Sequence, residues 1–285
     1  MAQTQEDRAR LRERSLDRFE RMKEIVRGTG GALVAFSAGV DSTLVLAVAR
    51  ELLGDRAAAL TAHSPSVPQA ERAEARALAE RLGVRHIEVE SREGEDPRYL
   101  ENSPERCYFC KSELYRLCDE NCRALGLSAV LDGFNADDRS DHRPGHRAAQ
   151  ERQVLSPLAE AGLTKEEVRA WSEAYGLPTW DKPQMACLAS RIPYGTPVTP
   201  QRLARIESAE AGVRAAGLRQ FRVRDHGDVG RIEVAAEEMD LAYSRRAEIA
   251  FAVRRAGFAL AALDLEPFRS GRLNELAKVP MPICQ

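Results

Sequence analysis

Through the first half of the chain, short apolar runs alternate with longer stretches in which apolar positions recur every three or four residues. GALVAFS, AAALTAHS and VRHIEVES read as β-strands, because each run is short, apolar and bounded by turn-forming or charged residues. Between them, DSTLVLAVARELL and PQAERAEARALAERLG carry the helical period and are long enough to serve as crossovers. Leu11 to Val26 predicts a capping helix at the start, CKSELYRLCDENCRALGL predicts another helix, and SAVLDGFNADD predicts a fourth strand that breaks into a loop. Strand alternating with helix implies an α/β fold: a parallel sheet with helices on both faces, and ligands at the carboxyl ends of its strands.

The rhythm then changes. From Asp137 to Gln153 the chain is polar, rich in Arg, His and Gly, and predicts a loop. After LPTWDKPQMACLASRIPYGTPVTP, dense in proline and turn residues, the pattern is helix (Gln201 to Ala216), strand (RQFRVRDHG), strand (VGRIEVA), helix (Met239 to Gly257) and a last strand (FALAALDL). The expected organisation is a first domain over 1–198 and a smaller C-terminal α/β domain over 199–285, serving substrate binding or oligomerisation. No internal repeat or low-complexity segment interrupts it.

Composition narrows the function. The formal net charge is −2 over 285 residues, with acids and bases interspersed, which argues against a nucleic-acid or membrane-surface partner and leaves a small anionic ligand open. No apolar run approaches the roughly 20 residues of a membrane helix, and the polar N-terminus is unlike a targeting peptide, so a cytoplasmic location is expected. Six cysteines in a chain of this length point to reduced thiols or a metal centre rather than disulfides.

The turn Ser37-Ala38-Gly39-Val40-Asp41-Ser42 falls where the first strand ends and the first crossover helix begins. Small residues there let backbone N–H groups crowd an anion, and the helix N-terminus adds partial positive charge. A phosphate is the expected ligand; the plain alternative is a βα connection in which Asp41 or Ser42 merely caps the helix. The turn has neither the G-x-x-x-x-G-K-[ST] of a P-loop nor the G-x-G-x-x-G of a dinucleotide fold. It resembles the S-G-G-x-D-S loop of the PP-loop ATP pyrophosphatases, with Ala38 in place of a glycine. That resemblance implies ATP cleaved between the α and β phosphates, with Ser37, Gly39, Asp41 and Ser42 holding pyrophosphate and its Mg²⁺, and Ser64 contacting the nucleotide. Gly133 and Asn135 end the fourth strand beside the same crevice, and Asp132, Asp137 and Asp138 lie near them, where Asp is also ordinary turn chemistry.

Cys107 and Cys110, as C-x-x-C near a helix start, lie on one side of a turn where thiolates are favoured. Cys118 and Cys122 form a stripe with Leu114 and Leu125 and read as core packing, while Cys284 reads as incidental. Cys187 sits in the proline-flanked segment between the two predicted domains. Three such thiols suit a [4Fe–4S] cluster with one iron left open. Zinc completed by His63, His142 or His146 is the other reading of the same set.

FSAGVDSTLV, RCYFCKSELY, DGFNADD, RPG, ACLASRIPYG, RIESAE and DLEPFRSGRLNE, in that order, resemble the LarE-type ATP-dependent sulfur transferases of nickel-pincer nucleotide synthesis, from about Gly30 to the end. The resemblance implies adenylation of a carboxylate on pyridinium-3,5-biscarboxylic acid mononucleotide, then replacement of AMP by sulfur to give a thiocarboxylate, once on each carboxylate. It implies catalytic Cys107, Cys110 and Cys187, ligating a [4Fe–4S] cluster, or else a branch in which Cys187 surrenders its own sulfur and becomes dehydroalanine. It also implies a homo-oligomer, with a hexamer as the form the family resemblance suggests. An anionic substrate calls for cations: Arg191, then Arg222 and Arg224 on one face of a strand, and Lys111 after the C-x-x-C; the resemblance further implies a substrate lining drawn from Arg231 and Glu233, which share a face of the next strand, and Glu207 on the helix after the cleft. Their plain alternative is a solvated surface. Two rival functions remain: a PP-loop tRNA thiolase, which the absence of a basic RNA-binding module disfavours, and a nucleotide-binding redox sensor that does no chemistry.

Overall fold

The computed structural model of the chain describes residues 4–139, 144–183 and 186–269, together with Arg272. In chain order the elements are α1 (Gln5–Arg14), α2 (Leu16–Gly28), β1 (Ala32–Ala35), α3 (Val40–Leu53), β2 (Ala57–His63), α4 (Gln69–Arg81), β3 (Arg85–Glu90), α5 (Pro97–Leu100), α6 (Arg106–Ala124) and β4 (Ala129–Leu131). They continue as α7 (Pro144–Glu151), α8 (Pro157–Ala161), α9 (Lys165–Ala174), α10 (Pro200–Ala215), β5 (Phe221–His226), β6 (Val229–Val234), α11 (Met239–Ser244), α12 (Arg246–Arg255) and β7 (Leu260–Leu263). The chain divides into two compact units, the first drawn from 1–64, 69–93 and 107–185 and the second from 65–68, 94–106 and 186–285. A boundary at 198/199 thus falls inside the second unit, because the segment from Ala186 is bonded to Asn102, Arg106 and Glu210.

In the first unit the sheet order is β3-β2-β1-β4, every pair parallel. β1 pairs with β2 from Ala32↔Ala57 to Ala35↔Leu60 and with β4 from Ala32↔Ala129 to Val34↔Leu131. Being central and covered on both faces, β1 is buried at every position, which is why it reads as an unbroken apolar run. Its side chains alternate between two cores: Val34 and Phe36 join Leu44, Leu46 and Val48 of α3, while Leu33 and Ala35 join Tyr115, Cys118 and Cys122 of α6. The chain moves from β1 out to β2 and β3, then crosses back to β4 on the other side. Strand order therefore reverses between β1 and β4, which opens a crevice at their carboxyl ends.

Two departures from the sequence pattern have local causes. The single helix expected over Leu11 to Val26 lies within two, because the buried Ser15 hydroxyl donates to the Leu11 carbonyl (2.6 Å) and accepts from Trp171 Nε1 (3.0 Å). Part of the expected loop 137–153 is the helix α7, which Pro144 opens; Ala148 and Ala149 are buried and His146 stacks on Phe134 with ring centroids 3.9 Å apart. α9 begins with a capping box in which Thr164 Oγ1 accepts from Glu167 N while Glu167 accepts from Thr164 N.

The second unit holds the sheet β5-β6-β7, with β5 and β6 antiparallel and β6 and β7 parallel. Leu203, Ile206 and Val213 of α10 and Ile249 and Val253 of α12 are buried along with Val223, Ile232 and Phe258. The helix expected over Met239 to Gly257 is broken at Arg245 into α11 and α12. Among the described residues no helix is long and apolar enough to cross a membrane.

α10 and α12 approach so closely that a Cβ added to Gly212 would stand 2.4 Å from Ala252 Cβ. Gly212→Ala gains helix propensity but forces the helices apart, so a net destabilisation of about 1–3 kcal/mol is expected, read as a lower midpoint in denaturant. A raised midpoint would show that this contact yields freely.

Candidate functional site

The turn after β1 is built around hydroxyls and small residues. Ser37 N donates to Ser42 Oγ (3.3 Å), the two serine hydroxyls lie 3.2 Å apart, and Thr43 Oγ1 donates to the Gly39 carbonyl (2.8 Å). Gly39 is the N-cap of α3, and no side chain caps that helix start among the described residues, so its first-turn amides are presented to the crevice rather than to a capping oxygen. Ala38 is fully buried with φ 54°, the left-handed conformation that glycine adopts without cost; the position where the family motif has glycine demands glycine-like backbone here too. Lys182 Nζ donates to the Ala38 carbonyl (3.0 Å) and to Glu74 Oε2 (2.7 Å), and Arg169 in turn holds the Trp180 and Lys182 carbonyls at 2.7 Å each. The strained loop is thereby braced from behind.

Asp41, in the first turn of α3, links the carboxyl-end loops. Its Oδ1 accepts from Asn135 Nδ2 (3.1 Å) and its Oδ2 is ion-paired to the Lys165 ammonium. Gly133 lies flush against this turn, since a Cβ there would meet Ser42 N at 2.8 Å. Asp137 and Asp138 serve the turn itself: Asp138 accepts from Asn135 N (3.0 Å) and Asp137 from Lys165 N (2.8 Å). Asp132 is buried beneath, accepting from Tyr115 Oη (2.7 Å), and burial raises its pKa while the Lys111 charge opposes that shift. The structure thus gathers Ser37, Gly39, Asp41, Ser42, Gly133 and Asn135, and adds Lys165 and Lys182, which sequence reasoning missed. The capping box Thr164-x-x-Glu167 was the available signal for Lys165, since it opens the third helix after β4.

Ser64, at the end of β2, is buried, and its carbonyl accepts from Arg72 Nη2 (2.8 Å). Beside it, His63 Nε2 lies 2.6 Å from Glu88 Oε2, which Arg76 also grips through two bonds. Arg76 first, then His63, hold the Glu88 carboxyl down at about 2 against an opposing burial effect. The His63 imidazole is thus engaged by a carboxylate, and His146 is engaged in its stack on Phe134; His142 lies outside the described residues. Among the described residues, no group of three or more His, Cys, Asp or Glu side chains is arranged to hold a metal ion.

The thiols fall into two classes. Cys118 and Cys122 are sealed in the core, and burial pushes the Cys118 thiol up to about 12 and raises that of Cys122. Cys107 is exposed and Cys110 and Cys187 are half-buried; Cys284 lies outside the described residues. Cys107 and Cys110 belong to the first unit and Cys187 to the second. Lys111 is no loose surface lysine: its ammonium lies 5.5 Å from the ring centroids of both Tyr115 and Phe134.

In the second unit, Arg191, Arg222 and Arg224 are buried rather than solvated. Arg191 forms a bidentate pair with Glu210 (2.8 and 2.9 Å), and its Nη1 donates to Ser190 Oγ and to the carbonyls of Ala186 and Cys187. Arg224 pairs with Glu233 (2.7 Å) and donates to the Ser190 carbonyl (2.9 Å), while Arg231 bridges Glu233 (2.9 Å) and Asp264 (2.6 Å). Arg222 donates to the Phe221 carbonyl (2.7 Å) and lies over the Phe268 ring. Burial, then the Arg191 charge, lowers its pKa to about 10, so it stays cationic at neutral pH. Glu207 is half-buried on α10, and the acid that grips Arg191 is Glu210. Glu210 was missed, although its place in the stripe Leu203, Ile206, Glu210, Val213 marks an acid on a buried helix face.

The chain is similar to known proteins over most of its length. The asparagine synthase family model matches residues 23–190. An uncharacterized protein of Synechocystis sp. is 42% identical over 91% of this chain and 97% of its own length. The pyridinium-3,5-bisthiocarboxylic acid mononucleotide synthase of Lactiplantibacillus plantarum is 36% identical over 89% of this chain and 91% of its own. An uncharacterized protein of Methanocaldococcus jannaschii is 25% identical over 84% of this chain and 90% of its own.

Lys165→Ala removes the ammonium from Asp41 while keeping the Thr164 cap. ATP-dependent pyrophosphate release is expected to fall about 10- to 100-fold, the worth of one charge-assisted bond, with the melting temperature little changed. Release at the unaltered rate would assign Lys165 to structure alone.

Proposed function

Because this chain belongs to the LarE-type ATP-dependent sulfur transferases of the PP-loop ATP pyrophosphatase family, we propose that its substrate is pyridinium-3,5-biscarboxylic acid mononucleotide, whose carboxylates it converts to thiocarboxylates. The observation that carries this reading is the uncapped, serine-lined turn at the β1–β4 crevice with Asp41 drawn to Lys165 and Asn135. A substrate carboxylate oxygen attacks the α-phosphorus of ATP, the α–β bond breaks, and pyrophosphate departs with the bonding electrons into the cradle of Ser37, Gly39 and Ser42. Lys165 supplies positive charge where the departing anion develops, and Lys182 keeps Ala38 in its left-handed conformation. Asp41 offers an oxygen ligand to Mg²⁺, which would neutralise the phosphate oxygens. Sulfur then adds to the acyl-adenylate carbonyl, AMP leaves, and the thiocarboxylate remains; the second carboxylate follows by the same route.

The first unit performs activation, and the second receives the anionic substrate through the buried cations of β5. Arg222 and Arg224 supply the positive charge there, Arg231 and Arg191 hold Glu233 and Glu210 in register, and Glu207 completes the set of the second unit; Lys111 is a candidate cation of the first. Cys107, Cys110 and Cys187 would hold a [4Fe–4S] cluster carrying the sulfide that is transferred; the chemistry suits them, because they are the described cysteines outside the apolar cores. The protein works as a homo-oligomer in this reading, and the exposed Tyr243, Phe251 and Leu260 of the second unit are apolar surface available for it.

Purified protein given ATP and the pyridinium mononucleotide is expected to release pyrophosphate and form thiocarboxylate, and after anaerobic reconstitution to hold about four irons per chain that Cys107→Ser and Cys187→Ser remove. Colourless, iron-free protein that still transfers sulfur, with Cys187 losing the elements of H₂S by intact mass, would replace the cluster with consumption of Cys187. Formation of neither pyrophosphate nor thioacid would overturn the function.

A further inference from the structure

Within the second unit, the turn that carries Cys187 is held from several sides at once. The Cys187 carbonyl accepts from Ser190 N (2.9 Å) and from Arg191 Nη1 (2.9 Å), Leu188 N donates to the Ser66 carbonyl (2.9 Å), and Arg106 Nη1 donates to the Ala189 carbonyl (2.8 Å). The same Arg106 nitrogen donates to Asn102 Oδ1 (2.6 Å). Asn102 Nδ2 is then turned toward three carbonyls of the following strap, those of Ile192 (3.3 Å), Pro193 (2.8 Å) and Thr196 (2.8 Å), while its own carbonyl accepts from Gly195 N (3.1 Å). Asn102 is fully buried and holds φ 58°, a left-handed conformation that asparagine tolerates better than other residues with a side chain. Arg106 is buried as well, with its guanidinium over the Tyr194 ring (5.9 Å). A backbone fixed by this many directional bonds, around a half-exposed thiol, is an arrangement for holding one sulfur in one place.

We propose that Asn102 and Arg106 are positioning residues for sulfur transfer: together they fix the Cys187–Thr196 strap so that the Cys187 thiol is presented at a set position. This rests on the reading of Cys187 as the sulfur-bearing or cluster-ligating residue. Neither side chain touches the substrate; each acts through main-chain carbonyls. Polarity is the specific requirement. Asn102 must present its NH₂ to three acceptors and its oxygen to Arg106, so aspartate, equal in shape, would set a carboxylate oxygen against three carbonyls.

The test uses the full-length protein with ATP and the pyridinium dicarboxylate mononucleotide, following pyrophosphate and thiocarboxylate in the same reaction. In Asn102→Asp and Arg106→Met the thiocarboxylate formed per pyrophosphate is expected to fall about 10- to 100-fold, with pyrophosphate release within about twofold of the parent. Arg106→Lys, which keeps a cationic donor, is expected to recover most of the ratio. Pyrophosphate and thiocarboxylate falling together in all variants would mark a merely structural role and overturn the inference, as would an unchanged ratio. If the parent protein releases pyrophosphate but makes no thiocarboxylate, the proposed reaction itself is wrong and the inference falls with it; a parent that makes thiocarboxylate leaves the variants to judge the inference alone.

Discussion

The Asp41 carboxylate is bonded to three elements that the chain visits far apart: it sits on α3 itself, accepts from Asn135 after β4, and pairs with Lys165 at the start of α9. Without that junction the turn after β1 and the loop after β4 would be neighbours with no fixed spacing, and a diphosphate bound between them would find an ill-defined cradle. The pair is partly exposed, with side-chain exposures of 18% for Asp41 and 27% for Lys165, so its contribution to global stability is small. Its effect is positional. Gly133 sharpens the same constraint, because only a residue without Cβ lets the β4 loop lie against Ser42 N. Ala38 concedes backbone strain for a tight turn, and the Lys182 ammonium bonded to its carbonyl holds the turn in that state.

The second unit solves a harder electrostatic problem. Arg191, Arg222, Arg224, Glu210 and Glu233 are all nearly or wholly removed from solvent. Ion pairs in such places are poor sources of net stability, since desolvation offsets the attraction, but losing one partner leaves a bare buried charge and is severely destabilising. The arrangement is therefore intolerant of rearrangement, and each guanidinium is confined to one geometry. Arg222 shows the balance: desolvation and the neighbouring guanidiniums bring it down only to about 10, so it keeps its charge at neutral pH and lends the unit a permanent cation.

Much of this was legible in the sequence, and the rest was hidden for identifiable reasons. The strands of both sheets stood out because burial on one or both faces forces apolar runs, and the turn after β1 stood out as a run of small residues between a strand and a helix. The core role of Cys118 and Cys122 followed from helical spacing with Leu114 and Leu125. α7 was not legible: its eight residues are mostly polar, and its two buried alanines carry too weak an apolar signal against the Arg, His and Gly around them. The breaks at Ser15 and Arg245 depend on single local geometries that no periodicity records. Glu207 was preferred to Glu210 because both are acids on one helix, and only the observed face of α10 separates the half-buried residue from the one bonded to Arg191. The reach of the second unit back to residues 65–68 and 94–106 is a long-range fact, and no local pattern encodes it.

The distribution of thiols follows from the same physics. Cys118 lies 11 residues after Cys107 on α6, within about 20° of three whole turns, so the two point in nearly the same direction around the helix. One is exposed and the other wholly buried. Helical face therefore does not decide their chemistry; position along the helix does, since the Cys118 end shares a core with Leu33 and Leu60 of the sheet and the Cys107 end does not. Burial pushes the Cys118 thiol up to about 12, so it stays protonated at neutral pH and is a poor metal ligand or nucleophile. A single amphipathic helix thus keeps one sulfur as packing and leaves another at the surface, and the described cysteines outside the buried cores are Cys107, Cys110 and Cys187.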